Sequence, residues 1–270
     1  MARVRTAARS RLARAAREYV PAAVLLVALV GLWELSVALL DTKPYILPAP
    51  SRVWAAFTEI RGTLPAHTRV TLLEAVIGLV WAAVMGVVLA SVIASVPLVR
   101  RVLYPLLVIS QTIPMIALAP LLIVWFGFGM TPKVLVVAMV GFFPIVVSTV
   151  DGLAGADADM IALVRSMGAN RWQVLRHVRI PAAVPAFFAG LKIAAAYAVT
   201  AAVVGEWVGT SSGHGLGLLI NRSRASFRTD ELFVAIAVIS LTSVALFAAV
   251  QGLFRLAAPW AHVISREETE

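Results

Sequence analysis

The sequence predicts an all-α protein that crosses a membrane six times, and three observations carry that expectation. The first is composition: 61% of the 270 residues are hydrophobic, only 14% are charged, and mean hydropathy is +0.92. Soluble domains carry about 25% charged residues, so a soluble chain of this make-up would leave apolar surface it could not cover. The second is arrangement: the apolar residues fall in charge-poor runs of the ~20 residues needed to cross a hydrocarbon layer of ~30 Å. The third is the lack of alternation, since these runs do not show the apolar–polar dyad of a membrane barrel. Ordinary soluble enzymes, disordered regulators and fibrous proteins are excluded. What lies outside the six spans suits loops and short helices, not a separate enzymatic domain.

A basic tail, 1–18, precedes the first span, about Tyr19 to Leu40, which only Glu34 interrupts. The run exceeds the ~7–15 apolar residues of a signal peptide. Asp41-Thr42-Lys43-Pro44 follows it in place of a small-x-small cleavage site, so the span is expected to be retained. In the next loop Pro48 and Pro50 break any helix, and Ser51 is placed to cap a short amphipathic one at the interface. The second span lies within Thr71–Leu98, with Glu74 near its start. Val102–Pro132 carries no charge and is long for one helix; the third span is placed near Leu103–Phe126, before the turn Phe126-Gly127-Phe128-Gly129. The fourth runs about Val134–Val150, the fifth about Ala182–Val204 with Lys192 inside it, and the sixth about Leu232–Phe254. The membrane domain is therefore 19–256, with 257–270 as a second tail.

Six spans put both termini on one side. With the N-terminus inside, the basic tail together with Arg100, Arg101, Arg165, Arg171, Arg176, Arg179, Arg255 and Arg266 is cytoplasmic. These outnumber Lys43, Arg52, Arg61, Arg69, Lys133, Arg222, Arg224 and Arg228 on the other side, so both termini are expected in the cytoplasm. The net charge of +9 and the pI near 11.0 are explained by these flanking arginines, which anchor to lipid headgroups, and nucleic acid is not expected as a partner. Cysteine is absent, and His67, His177, His214 and His262 show no ligand-type spacing, so neither a metal site nor a catalytic set is expected.

The segment from about 152 to 181 is too structured for a plain connection. Asp157 or Asp159 can cap a helix whose apolar residues Met160, Leu163, Val164 and Met167 recur at three and four. Gly168 is placed to end it, and Asn170 can cap a second helix made amphipathic by Trp172, Leu175 and Val178. Such a pair is either a compact knob in the cytoplasm or a surface helix lying on headgroups. Its spacing resembles a signature of the permease subunits of bacterial ABC importers: Glu-Ala-Ala, three residues, Gly, nine residues, Ile-x-Leu-Pro. Here Ala162-Leu163-Val164, Gly168 and Val178-Arg179-Ile180-Pro181 keep that register, with Ala162 where the family often has glutamate. Ser110-Gln111-Thr112-Ile113-Pro114, Ala119-Pro120-Leu121, Phe142-Phe143-Pro144, Gly205-Glu206 and Gly215-Leu216-Gly217 extend the resemblance over roughly 45–255. They are similar to the branch for nitrate, sulfonate, taurine, bicarbonate and pyrimidine-type substrates, with a slight tilt towards pyrimidine-type vitamin precursors or riboflavin.

The resemblance implies a coupling helix at Gly168 that docks on separate ATPases. Asp159, Met160, Leu163, Val164, Arg165, Met167, Gly168, Ala169, Arg171, Trp172 and Pro181 would then be the coupling residues. It further implies two ATPase subunits carrying ATP and Mg, an extracytoplasmic substrate-binding protein, and a second permease chain in a homodimer. The chain has no Gly-x-x-x-x-Gly-Lys phosphate loop of its own; its lysines are Lys43, Lys133 and Lys192.

For the path, Pro105, Pro114 and Pro120 each remove a backbone donor from the third span, with Ser110, Gln111 and Thr112 between them. Either a broken helix lines the conduit there, or the polar side chains cross-link helices or bond their own backbone. Glu206, beside Trp207, is a candidate gate or docking point at the outer end of span five. Lys192 either attracts an anion or snorkels to headgroups, and Glu34 and Glu74 are expected to pair with interfacial groups. His214, in the run Ser211–Gly217, is a minor candidate for a proton relay. The rival classes are an ion-coupled secondary transporter, which would show repeats and paired intramembrane charges, neither of them evident in the sequence, and a membrane-embedded enzyme, which would show a clustered acid, base or metal set that the sequence lacks.

Overall fold

The computed structural model describes residues 2–209 and 213–260, and among these the regular structure is helical throughout. Two compact units divide the chain: 1–62 with 223–234, and 63–222 with 235–270.

In the first unit, α1 (Ala2–Leu39) carries the basic tail into the first span as one helix. α2 (Pro50–Ile60) begins with proline in its first turn, where a missing N–H is an orphan in any case. Ser51 does not take the cap position expected of it. Ala49 stands there, and Ser51, already inside the helix, donates its N–H (3.0 Å) and hydroxyl (2.7 Å) to the two oxygens of Glu34. A carboxylate suits the free N–H groups and positive end of a helix start, so Glu34 does the capping. The start of α11 (Thr229–Ala257) belongs to the same unit. Arg228 donates to Glu59 at 2.9 Å and to Asp230 at 3.2 Å, and Thr229 donates to the Tyr45 carbonyl at 2.7 Å. The hydrogen bond to Glu59, then that to Asp230, holds the Arg228 guanidinium above its ordinary pKa.

The second unit is built on α3 (Leu64–Ser95), α6 (Met130–Ala154) and α9 (Ile180–Val208), which pack together along the spans. Lipid gives helices no hydrophobic reason to associate, so close contact has to come from small residues that let backbones approach. Ala75 and Ala82 of α3 and Ala194, Ala195, Ala198 and Ala202 of α9 are buried against Val136, Val137 and Ile145 of α6. Val80, Trp81, Val84 and Val88 on the opposite side of α3 are exposed, as a membrane solvent permits.

Among the described residues five helices are long and apolar enough to span, and a sixth crossing exists only if a bent pair is one span. That pair, α4 (Pro97–Ser110) and α5 (Met115–Phe126), corrects the expected third span near Leu103–Phe126: the two axes differ by 98°. Pro114 is the cause. It disfavours helical backbone at Ile113 and offers no N–H to the turn before it, so the chain leaves the helix at Gln111 and re-enters it at Met115. The fifth span is longer than expected, running unbroken from Arg171 to Val208. Of the second tail, 261–270 lies outside the described residues, as do Ser211 and Ser212.

Candidate functional site

Between α6 and α9 the chain makes a capped elbow. Asp157, not Asp159, is the N-cap of α7 (Ala158–Ser166): its carboxylate accepts the N–H groups of Asp159 at 2.8 Å and Met160 at 3.4 Å. The helix ends at Gly168, whose φ of +90° an L side chain rarely adopts. That conformation lets Gly168 N–H reach the Arg165 carbonyl at 2.9 Å and Ala169 N–H reach that of Val164 at 3.2 Å. Asn170 then opens α8 (Arg171–Val174) with a capping box, accepting from Gln173 N–H at 2.9 Å while Gln173 accepts from Asn170 N–H at 2.8 Å.

The second helix is not a separate short one, as its length in sequence suggested. α8 passes through a π-helical turn, Leu175–Arg179, straight into α9. The wide turn has a local reason: Pro181, in the first turn of α9, would press its ring against the carbonyl four residues back in a regular helix. The elbow holds Met160, Leu163, Met167 and Trp172 exposed, the last two at 79% and 67%, with Asp159, Arg165 and Arg171 exposed beside them. Val164 and Ala169 are half-buried, and Val174 is the buried anchor.

The candidate path residues lie at the kink. Ser110 donates to the Leu107 carbonyl at 2.7 Å and Thr112 to that of Ile109 at 2.8 Å, so both hydroxyls bond their own backbone. Gln111 closes α4; its side chain is exposed and meets no partner among the described residues. Lys192 is half-buried with its ammonium 5.3 Å from the ring centre of Phe254.

Glu206 sits elsewhere, in a buried cluster that the sequence did not disclose. It is 1% exposed, so it presents no surface for docking. One of its oxygens accepts from the Thr71 hydroxyl at 2.7 Å, the other from Gly217 N–H at 2.5 Å. Its carboxylate lies against that of Glu74, and Glu74 accepts from the Lys133 ammonium at 2.7 Å. Glu74 and Lys133 are 2% and 1% exposed, which corrects both the interfacial pairing expected of Glu74 and the outer-surface charge expected of Lys133. It also corrects the expectation that no charges pair within the spans. The second oxygen of Glu74 is buried with no donor among the described residues.

Glycines make the cluster possible. A Cβ at Gly205 would stand 3.1 Å from the Lys133 backbone, and one at Gly215 would stand 2.6 Å from the Glu206 carboxylate. The Gly215 turn is tied down further by Leu216 N–H, which donates to the Thr71 hydroxyl at 2.9 Å. His67 Nδ1 lies 2.8 Å from the Gly215 carbonyl oxygen and 3.0 Å from its nitrogen. His214 is exposed with its ring 5.3 Å from that of His67. No group of three or more potential metal ligands occurs among the described residues.

Residues 78–262 match the family model described as binding-protein-dependent transport system inner membrane component. The chain is 37% identical over 233 residues to the formylaminopyrimidine transport permease protein ThiX of Halalkalibacterium halodurans, covering 86% of this chain and 92% of that one. It is 39% identical over 241 residues to the riboflavin transport system permease protein RibX of Chloroflexus aurantiacus, covering 88% of each. It is 28% identical to the taurine transport system permease protein TauC of Escherichia coli, covering 87% of each. Among solved structures, an inward-facing MetNI methionine ABC transporter matches at a TM-score of 0.57 and 20% identity, covering 72% of this chain and 97% of that one.

Proposed function

This chain belongs to the binding-protein-dependent transport system inner membrane components, the permease subunits of ABC importers, and we propose that its elbow at Gly168 is where separate ATPase subunits drive it. It is a multi-pass inner-membrane protein and a transport channel, not an enzyme. Permeases of this family work with ATPase and substrate-binding partners.

One observation carries the coupling reading: Met160, Leu163, Met167 and Trp172 stand exposed on a rigid, capped elbow whose second half is continuous with α9. Apolar side chains held together at a surface mark a protein contact, and Arg165 and Arg171 add steering charge. Gly168 aims the second helix, Asp159 and Ala169 flank the contact, and Pro181 begins the span that is pushed. ATP and Mg2+ stay on the partner subunits. Closure of the ATPase pair moves the elbow, and α9 follows as a lever.

One chain offers one elbow, so two ATPases and a second copy of this chain about a two-fold axis form the simplest closed assembly. Elbow and both termini face the cytoplasm, where the flanking arginines gather, and the substrate-binding protein meets the opposite face. The conduit passes the kink at Gln111, whose exposed amide and interrupted backbone supply polar groups at depth. ThiX and RibX favour a pyrimidine-type vitamin precursor or riboflavin as substrate, ahead of a sulfonate or taurine.

Co-purification tests the coupling reading. Tagged permease, co-expressed with the ATPase of its own transport system, should retain that ATPase in detergent at one to one. Replacing Met167 and Trp172 together by alanine should weaken retention by about tenfold, roughly what one or two buried anchors contribute to an interface. Wild-type permease eluting without the ATPase would refute the reading.

A further inference from the structure

A cavity of about 540 Å³ opens behind the elbow, at the ends of α3, α6 and α9. Arg165, Arg171 and Arg179 all line it, with Trp172, Leu175 and Ser95. None of the three arginines forms an ion pair among the described residues. The nearest acid in sequence, Asp159, is exposed on α7 and forms no ion pair among the described residues, and Asp157 before it has its carboxylate engaged in capping α7. Arg179 is held in the π-helical turn, and its Nε is buried with no acceptor. Three permanent like charges around one cavity repel each other, and a desolvated guanidinium N–H lacks the partner that burial demands.

From this we infer that the cavity is a phosphate-binding site, filled by the headgroup of an anionic phospholipid or by free phosphate. A tetrahedral, multiply oxygenated anion meets the need of several guanidinium forks at once, through two-pronged charge-assisted hydrogen bonds. The apolar part of the wall, Leu153, Leu175 and Ile180, suits the glycerol and first acyl carbons of a lipid. Basic pockets between spans on the cytoplasmic side bind such headgroups. The side of the membrane rests on the coupling reading; the arginine geometry does not. Bound phosphate ties α3, the elbow and the start of α9 together, so that a push on the elbow reaches the span without slack.

The test is native mass spectrometry of the permease–ATPase complex, doped with phosphatidylglycerol or phosphatidylcholine. Wild type should retain phosphatidylglycerol in preference. Arg179→Gln should cut that preference about tenfold, the worth of one charge-assisted hydrogen bond. Ala94→Glu, which places a competing carboxylate in the cavity wall, should abolish it even if Arg179→Gln fails to fold. Millimolar inorganic phosphate that displaces the lipid assigns the site to phosphate as such; lipid that resists it assigns the site to the headgroup. Equal retention of the two lipids by wild type, with no protection by phosphate, overturns the inference. So does phosphatidylglycerol bound to the permease alone but expelled in the complex, because acidic side chains of the ATPase would then fill the cavity. A permease that keeps its phosphatidylglycerol preference yet retains no ATPase sinks the coupling reading and leaves this one standing.

Discussion

Replacing Lys133 with methionine should destabilise the permease far more than replacing it together with its partner. The ammonium and the Glu74 carboxylate are 2.7 Å apart with side chains 2% and 3% exposed. At an effective dielectric of about 20 the gross attraction is about 6 kcal/mol. Desolvating each ion costs several kcal/mol, so the pair as a whole contributes little net stability. The asymmetry lies in the single variant. Lys133→Met leaves Glu74 buried and uncompensated, with the Glu206 carboxylate against it and one of its own oxygens already without a donor. Breaking a buried pair in this way costs about 3–5 kcal/mol. At ~2–4 °C per kcal/mol for a chain of this size, the melting temperature should fall by roughly 6–20 °C.

The double variant Lys133→Met with Glu74→Leu removes both charges at similar volume and should recover most of that loss. Thermal unfolding of purified protein in detergent, followed by the monomer fraction on size exclusion, gives the four values of a double-mutant cycle. A single variant within about 1 °C of wild type, or a double as unstable as the sum of the singles, would show that Lys133 does not carry the charge balance of the cluster.

The remaining predictions concern the elbow and the kink. Gly168 has open space around it but a φ of +90°, so Gly168→Val strains the backbone by ~1–2 kcal/mol rather than by collision. The variant should reach the membrane normally yet lose substrate-stimulated ATP hydrolysis in reconstituted vesicles, and intact stimulation would remove Gly168 from the coupling mechanism. Gln111→Cys in this cysteine-free chain should react with a water-soluble maleimide at a rate that changes with nucleotide state. Complete protection in every state would take Gln111 out of the path.

How much of this was legible in the sequence depended on whether a feature is local. Helix caps are local: Asn170 and Gly168 announce themselves, because the acceptor or the left-handed residue must sit within a few positions of the N–H or carbonyl it serves. The register of the elbow was legible for the same reason. The bend at Gln111 was half legible; Pro114 marks the interruption, but its angle of 98° depends on what α5 packs against, and Ala119 and Leu122 bury themselves against α6 and α9. The buried cluster was illegible because its members are 59 and 135 residues apart in their pairings. A signal for it does exist. Glu74, Lys133 and Glu206 each stand about one turn inside the same end of an apolar run, once alternating span directions are followed. Opposite charges at one depth in a low-dielectric layer are more costly apart than together, and that mismatch favours their pairing over three separate routes to the headgroups. Lys133 reads as a flanking charge because the fourth span is placed from Val134, after the turn Phe126–Gly129. In the structure Pro132 lies in the first turn of α6, where proline is tolerated, so the lysine is already part of the helix and turned inward. A charge beside a proline at the edge of a span is thus as compatible with a buried ion pair as with a headgroup anchor, and what separates the two is an opposite charge at the same depth in another span.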